Sequence, residues 1–148
     1  MKIVLQRVIK AHVTINKQIV GTIAQGIVLF LGITKTDKKQ DIIKPCNKII
    51  NLRIFPDNNH KMNNSLKDIK GSILIISQFT LYGQCVRGNR PSFTNAADPI
   101  YAKKIYNEFV NYMKNQTNIN IQTGQFGAMM KVALINDGPV TFILDTNE

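Results

Sequence analysis

Residues 26–33 read GIVLFLGI, and residues 72–77 read SILIIS. Both are short apolar runs of the kind that form β-strands covered on both faces. The longest stretch of purely aliphatic or aromatic residues, residues 27–31, is far shorter than the ~20 residues that a membrane-spanning helix needs. The two runs therefore predict the centre of a globular fold with no membrane span.

Further strands are predicted on either side of this centre. They are residues 3–8, 12–15, 19–23, 52–55, 120–123, 129–135 and 140–144. Residues 16–18 are expected to form the turn of a hairpin, and residues 137–139 separate the last two strands, for which a plain hairpin turn is the simplest interpretation. Residues 63–65 and 83–95 are predicted loops.

Two long helices complete the prediction. Residues 38–51 place apolar side chains on one helical face, with Thr36 or Asp37 as the cap, although Pro45 indicates a kink or a later start. Asp98 followed by Pro99 is a strong helix start, and that helix is expected to end near Lys114. The predicted fold class is α+β (layered α/β): one compact domain over residues 1–148, with mostly antiparallel, barrel-like strands packed with two long helices.

The charge of the chain indicates an anionic partner without proving one. The 148 residues carry 19 basic and 9 acidic side chains, a net charge of +10, and 13 of the basic residues lie in residues 1–70. Such a surface attracts nucleic acid. Lys, Asn and Ile together exceed a third of the chain, which is also what an AT-rich coding sequence favours. A nucleic-acid-binding face and a merely solvated lysine-rich face therefore both remain open.

The cysteines and the amino-terminal residues favour the cytoplasm. Cys46 and Cys85 form no CxxC pair and have no histidine at ligand spacing. We expect two buried or half-buried free thiols, with a disulfide or a zinc site as the alternatives. Basic residues at positions 2, 7 and 10 interrupt any signal-peptide core, so export is not expected.

The usual catalytic machinery is sparse in this sequence. His12 lies in a predicted strand and His60 in a polar loop. A Ser-His-Asp or Cys-His arrangement would have to use one of these two isolated histidines, and a strand-facing His12 and a solvated His60 are the simpler interpretations. Phosphate-binding glycine loops, the HExxH metal motif and carboxylates at useful spacing are missing as well. A hydrolase with a side-chain general base is therefore poorly supported, and no metal site is predicted.

Two other segments could carry chemistry through the backbone. Residues 77–81, SQFTL, end a buried strand, where free N–H groups can stabilise an oxyanion. A strand end that satisfies its own backbone is the ordinary alternative. Residues 136–141, NDGPVT, contain a Gly-Pro bond that could be cis and could present two carbonyl oxygens on one edge, or could simply be a turn.

Together the two segments resemble the D-aminoacyl-tRNA deacylases. The resemblance runs from about residue 1 to residue 145 and includes QRV at 6–8, HKMN at 60–63 and RPSF at 90–93, with His60 where glycine is usual. It implies hydrolysis of the ester between a D-amino acid and the terminal adenosine of tRNA, and also of glycyl-tRNA mischarged on alanine tRNA. It further implies a cytosolic homodimer with its active sites at the subunit interface, and neither metal nor cofactor.

The resemblance also implies roles for individual residues. The catalytic strand corresponds to Ser77, Gln78, Phe79 and Thr80. The backbone N–H groups of Phe79 and Thr80 would be the oxyanion donors. Thr80 would act as a positioning group, while the ribose 2′-hydroxyl assists the attack of water.

The residues implied for substrate recognition lie elsewhere in the chain. They are Phe126, Gly127 and Met130 near the terminal adenine, and Arg7, Gly138 and Pro139 for chiral selection. Gly138 and Pro139 would enter the pocket of the second subunit through a cis bond and exclude the side chain of an L-amino acid. Arg7 would hold that pair in place.

Two alternatives stay open beside this interpretation. One is a tRNA- or RNA-binding module that has lost catalysis. The other is a paralogous deacylase with a trans Gly-Pro bond, which tolerates small L-residues. The intact SQFTL and GPVT segments argue against the first alternative, and Arg7 together with GPVT argues against the second.

Overall fold

The computed structural model describes residues 1–86 and 88–146. Arg87 of the predicted loop 83–95, and the last two residues of the predicted domain, lie outside the described residues. The strands are β1 Lys2–Ile15, β2 Gln18–Ile23, β3 Gly26–Gly32, β4 Phe55–Pro56, β5 Met62–Asn64, β6 Ser72–Ser77, β7 Asn120–Thr123 and β8 Lys131–Asp145. The helices are α1 Ile43–Asn51 and α2 Pro99–Gln116, and there are 3₁₀ turns at Lys39–Ile42 and Phe79–Tyr82. The described residues thus form the predicted mixed α/β fold with two helices.

The long strand β1 organises the main sheet. Its first half pairs antiparallel with β3 and its second half with β2, while β8 pairs antiparallel with nearly its whole length. Beyond β3, β6 and then β7 add as parallel strands. Strand β2 crosses close to β7, since a Cβ on Gly21 would lie 2.8 Å from the carbonyl oxygen of Thr123. This close approach nearly closes the sheet into a barrel.

Strands β3 and β6 are covered on both faces, as their apolar runs predict. Ile27, Leu29 and Leu31 face the core that α1 and α2 cover. Val28 faces the opposite way, into the barrel, together with Leu74 and Ile76 of β6. Burial of alternating side chains on both sides is the physical reason why these strands contain no alternation of polar and apolar residues.

Four predictions about the strands are wrong. The predicted strand 52–55 is a strand only at Phe55, where β4 begins. Residues 3–8 and 12–15 belong to one strand, because Lys10 between them stays paired with Ile135 of β8. Residues 129–135 and 140–144 likewise belong largely to the single strand β8. Residues 137–139 are therefore not a hairpin turn. Residues 63–65 are not wholly a loop either, because Met62–Asn64 pairs with Phe55–Pro56.

The strand β8 keeps its direction through residues 137–139 by a bulge. Thr141 pairs with Gln6, and Asn136 pairs with Val8. Four residues of β8 between those two pairs face a single residue of β1, so the extra backbone must loop out of the ladder. The bulge lifts Gly138 and Pro139 to the surface, where both are exposed.

The first helix begins later than its periodicity predicts, and neither expected cap is used. Residues Lys39–Ile42 form a 3₁₀ turn, and the α-helix starts at Ile43. Pro45 consequently falls in the first α-helical turn, where its missing N–H costs no hydrogen bond. Asp37 does not cap the helix, since its carboxylate accepts a hydrogen bond from the Thr34 N–H at 2.8 Å and pairs with the amino group of Met1 at 2.6 Å.

The second helix agrees with its prediction. The carboxylate of Asp98 accepts hydrogen bonds from the N–H groups of Ile100 at 3.1 Å and Tyr101 at 3.0 Å. The helix continues two residues past Lys114 and buries Ile105, Phe109 and Met113. In the described part of the chain, neither helix is long and apolar enough to cross a membrane.

The two cysteines differ in their surroundings. Cys46 is buried in α1, and desolvation raises the pKa of its thiol to about 12. Cys85 is exposed rather than half-buried, because it lies in the long loop after the 3₁₀ turn Phe79–Tyr82. Both thiols are free, so the disulfide alternative is not what the structure contains.

Candidate active site

The segment SQFTL leaves the sheet at the carboxyl end of β6. Ser77 is the last residue of the strand, and the N–H of Gln78 donates to the carbonyl oxygen of Leu31 at 2.8 Å. The chain then turns through the 3₁₀ turn Phe79–Tyr82. The first N–H groups of such a turn, here those of Phe79 and Thr80, have no carbonyl partner within the turn itself.

A cleft of about 470 Å³ lies beside this strand end. Ser77, Gln78 and Phe79 line one side of it, and Phe126, Gly127 and Met130 line the other. The remaining lining residues are Leu31, Ile33, Ile76, Ala97, Pro99, Ala102, Ala128, Met129 and Val132. None of these described residues has an ionisable side chain, so the cleft suits a ligand recognised by shape and backbone hydrogen bonds.

The side chain of Thr80 lies beside the cleft and accepts a hydrogen bond. The donor is Nε2 of the Gln78 amide, so the partner of the Thr80 hydroxyl oxygen is not a base. The neighbouring ring of Phe79 is 58% exposed and meets the ring of Phe93 edge-on, with 5.0 Å between the centroids. A hydroxyl held in this way can position a ligand, but among the described residues no group in contact with it would activate it as a nucleophile.

The opposite wall depends on an aromatic pair anchored to β6. Phe126 packs on Tyr106 of α2 with ring centroids 5.6 Å apart. The Tyr106 hydroxyl donates to the carbonyl oxygen of Ile75 at 2.9 Å, and burial raises the pKa of this hydroxyl above its usual value. The N–H of Gly124 donates to the same carbonyl at 3.2 Å. The loop that carries Phe126 and Gly127 is thus tied to the strand that ends in Ser77.

Arg7 holds the bulge in β8 from beneath. Its guanidinium is nearly buried, and Nε lies 2.9 Å from the carbonyl oxygen and 3.2 Å from the carboxylate of Asp137. Nη1 donates to the carbonyl oxygen of Ile54 at 2.6 Å. The side chain of Asn136 accepts from the N–H of Val140 at 2.7 Å across the base of the bulge. The adjoining Gly138–Pro139 peptide bond is cis.

The two predicted parts of the site do not meet within one chain. Ser77, Gln78, Phe79, Phe126, Gly127 and Met130 share the cleft, with Thr80 beside it. Gly138 and Pro139 do not line this cleft and are exposed on β8, whereas the Arg7 side chain beneath them is nearly buried. Within one chain the structure therefore keeps the two parts of the predicted site apart.

Sequence reasoning missed several lining residues of the cleft. For Leu31 and Ile33 the sequence predicts only a place in an apolar run, and for Met129, which is 93% exposed, it predicts only the start of the strand 129–135. Apolar side chains in a strand look alike in sequence whether they line a core or a cleft. Phe93, which does not line the cleft but meets the ring of Phe79, carries a usable signal, because it belongs to the RPSF segment of the resemblance.

Neither histidine belongs to the cleft, and His60 lies in an exposed turn. Within residues 1–86 and 88–146, no three His, Cys, Asp or Glu side chains are grouped so that they could hold a metal ion.

Comparison with known proteins identifies many relatives. Residues 4–145 match the sequence model of the family described as D-Tyr-tRNA(Tyr) deacylase. A D-aminoacyl-tRNA deacylase of Thermosipho melanesiensis is 53% identical over 148 residues, which is 100% of this chain and 99% of the relative. A solved structure named c-Myc DNA Unwinding Element Binding Protein is 40% identical, with a TM-score of 0.91 and 98% of each chain covered.

A second solved structure, described as a probable eukaryotic D-amino acid tRNA deacylase, has a TM-score of 0.82 over 97% of each chain. Its sequence is only 16% identical, so this likeness concerns the fold alone.

Proposed function

The chain belongs to the D-Tyr-tRNA(Tyr) deacylase family, and from this premise we propose that residues 1–148 form one deacylase domain that hydrolyses the ester bond of D-aminoacyl-tRNA. The observation that carries the proposal is the cleft at the end of β6. This cleft brings Ser77, Gln78 and Phe79 together with Phe126 and Gly127. Among the residues that the structure describes, no ionisable side chain lines it. Such a site must act through backbone donors and substrate positioning.

The chemistry proposed for this cleft uses water as the nucleophile. Water adds to the ester carbonyl carbon, and the backbone N–H groups of Phe79 and Thr80 stabilise the negative charge that develops on the carbonyl oxygen. The bond from the carbonyl carbon to the ribose 3′-oxygen then breaks. The 3′-oxygen takes up the proton that water gives up, with the neighbouring ribose 2′-hydroxyl assisting. The products are the free D-amino acid and tRNA, and no metal or cofactor takes part.

Chiral selection is proposed to come from a second copy of the chain. Gly138 and Pro139, which we call the wedge, are exposed. Arg7 holds the preceding residue, Asp137, by its carbonyl oxygen, so the base of the wedge is fixed. Their carbonyl oxygens, placed in the cleft of the other subunit, would leave room for hydrogen on the substrate α-carbon but none for an L side chain. Glycine carries hydrogen on both sides and would pass, which extends the activity to glycyl-tRNA mischarged on alanine tRNA.

The surface around the wedge supports a homodimer. Ile135 and Ile143 flank the bulge on β8 and are 46% and 73% exposed, and Ile9 on the neighbouring strand is 54% exposed. Exposed aliphatic side chains grouped around a functional loop are typical of a surface that another chain covers. The proposed assembly has two active sites at the subunit interface and acts on tRNA in the cytoplasm.

A nucleic-acid-binding role without catalysis is the second candidate. It is favoured by the net charge of +10 and by the solved relative that is named for binding a DNA unwinding element. The cleft argues for turnover instead, because the residues that line it correspond to the deacylase segments. The paralogous deacylase with a trans Gly-Pro bond is the third candidate, and the bond is cis in this structure.

One experiment separates these candidates. Initial rates of amino acid release are measured side by side on D-tyrosyl-tRNA, L-tyrosyl-tRNA, glycyl-tRNA and L-alanyl-tRNA. The proposed function requires release from the first and third substrates and none from L-tyrosyl-tRNA above the uncatalysed rate. Binding of tRNA without any release would support the second candidate. Release from tRNA carrying a small L-amino acid, such as L-alanine, would support the third.

A further inference from the structure

A second groove continues from the candidate active site along α2. Five polar side chains line it: Lys103, Asn107 and Asn111 from the helix, and Thr123 and Gln125 from the opposite segment. Phe126 lines both this groove and the active-site cleft, so the two cavities share one wall. We call the surface formed by these six residues the α2 groove.

The α2 groove presents free hydrogen-bonding groups. Within the described residues, none of its five polar side chains has a hydrogen-bond or ion-pair partner in the protein. The three α2 residues are exposed, and none of the described residues that line the groove is acidic. Lys103 therefore offers an uncompensated positive charge, and the amides offer both donors and acceptors.

The α2 groove is elongated along the axis of the helix. Lys103, Asn107 and Asn111 recur every four residues, so they form one line on the helix surface. Their line is about 12 Å long at the α-helical rise. It runs away from Ala102, which lines the active-site cleft. An extended ligand that ends in the cleft can therefore continue along α2.

The wall between the two cavities is suited to a nucleobase. The ring of Phe126 is half-buried and supported by Tyr106, whose hydroxyl is anchored on β6. Single-stranded nucleic acids are bound by a combination of lysine contacts to phosphate, amide contacts to base edges and stacking on aromatic rings. The α2 groove carries all three types of group.

We propose that the α2 groove binds the single-stranded nucleotides that precede the terminal adenosine of the tRNA substrate, with Lys103 contacting a phosphate and the amides of Asn107 and Asn111 contacting base edges. The inference rests on the proposed function, because it takes the aminoacylated terminal adenosine to occupy the neighbouring cleft. The groove then determines the affinity for tRNA without touching the ester.

The test compares a full substrate with one that lacks the preceding nucleotides. Lys103→Gln should raise KM for D-tyrosyl-tRNA about fivefold, the effect of losing one exposed charge contact, with kcat unchanged. On D-tyrosyl-adenosine the variant should match the unaltered protein. The slope of log KM against log salt on tRNA should fall by about 0.7, the value for one phosphate contact on a single strand.

Two variants serve as controls. Lys104→Gln removes the same charge from the adjacent position of α2, which lines neither cavity, and should leave KM and its salt slope unchanged. Lys103→Arg keeps the charge and should keep most of the affinity. Equal effects of Lys103→Gln and Lys104→Gln, or an unchanged KM in Lys103→Gln, would overturn the assignment of the groove while the deacylase activity stands.

Failure of the proposed function gives a different result. If the unaltered protein releases no amino acid from either D-tyrosyl substrate, the deacylase proposal falls, and the assignment of the groove falls with it. An equal KM increase of Lys103→Gln on D-tyrosyl-adenosine would also overturn the inference, because that substrate has no phosphate for Lys103 to contact.

Discussion

Arg7 and Thr80 are both held by hydrogen bonds to neighbouring groups of the chain. The guanidinium of Arg7 has three contacts, to the carbonyl oxygens of Asp137 and Ile54 and to the carboxylate of Asp137. A planar group with several fixed donors is suited to this task, and a lysine could not reproduce it. Thr80 carries a hydroxyl beside the cleft, but its partner is an amide donor rather than a base. This contact favours a role for Thr80 in positioning the substrate over a role as a covalent nucleophile.

The first prediction concerns that hydroxyl. Thr80→Ala should keep measurable deacylation, within about tenfold of the unaltered kcat, because the side chain forms one exposed hydrogen bond and alanine retains the backbone N–H. Single-turnover rates on D-tyrosyl-tRNA provide the measurement, and Thr80→Ser, which keeps the hydroxyl, is the control. A loss of ~10⁴-fold or more in Thr80→Ala, with KM unchanged, would instead identify a nucleophile.

Helix α2 links the elements of the molecule that matter for the site. Its first residue and Ala102 line the active-site cleft, its next turns line the α2 groove, and its buried face covers β3 and β6. The start of the helix depends on Asp98, whose carboxylate accepts two backbone N–H groups. A helix end that frays at this position would move the cleft wall.

The second prediction tests this cap. Asp98→Ala should lower the free energy of unfolding by about 1 kcal/mol, because two N–H groups at the start of α2 lose their acceptor. Asp98→Asn keeps an acceptor oxygen and should lose less. Urea unfolding provides the measurement, with a lower midpoint and an unchanged slope for Asp98→Ala. Identical midpoints for the two variants and the unaltered protein would show that the cap contributes nothing.

The whole molecule, as a single chain, separates the cleft from its proposed wedge. Arg7 and the base of the bulge support Gly138 and Pro139 at the surface of β8, where the cleft of the same chain cannot use them. Gly138 itself tolerates no side chain. Its φ is +149°, and an added Cβ would lie 2.5 Å from Cγ2 of the buried Val140. Gly138→Ala, which looks harmless for a surface turn, should therefore strain the fold.

Because Gly138→Ala would strain the fold, the third prediction uses a substitution at Pro139, which is exposed. A Pro139→Gly chain keeps its cleft but loses the rigid contact to the substrate α-carbon, and a Gln78→Ala/Phe79→Ala chain keeps Gly138 and Pro139 but loses two side chains that line the cleft. Each should be nearly inactive alone, because turnover in a cleft without ionisable side chains depends on the positioning of the substrate. After mixing and subunit exchange, half of the dimers are mixed and each has one complete site. Activity should therefore return to about a quarter of that of the unaltered protein.

Two measurements make the mixing experiment decisive. Exchange is followed by mass spectrometry of intact dimers, and thermal unfolding checks that each parent variant is folded. Mixed dimers that are no more active than either parent would show that the wedge does not act across subunits. Full activity of the Pro139→Gly chain alone would show that the wedge is not needed for turnover.

The sequence alone determined the features that depend on short-range patterns. Continuous apolar runs located β3 and β6, the Asp98–Pro99 pair located the start of α2, and the SQFTL and NDGPVT segments indicated the family. Each of these signals arises within a few residues, because burial on both faces, helix capping and backbone chemistry are local requirements.

The tertiary structure decided what depends on partners distant in the chain. Strands β1 and β8 each run unbroken through stretches that look like breaks, because they pair with each other along nearly their whole length. The cleft wall uses Leu31, Ile33 and Met129, whose composition does not distinguish a cleft from a core. The exposed bulge on β8 likewise reads as a turn in sequence. Long-range pairing and the junction of separate segments carry no local signature, so only the folded chain reveals them.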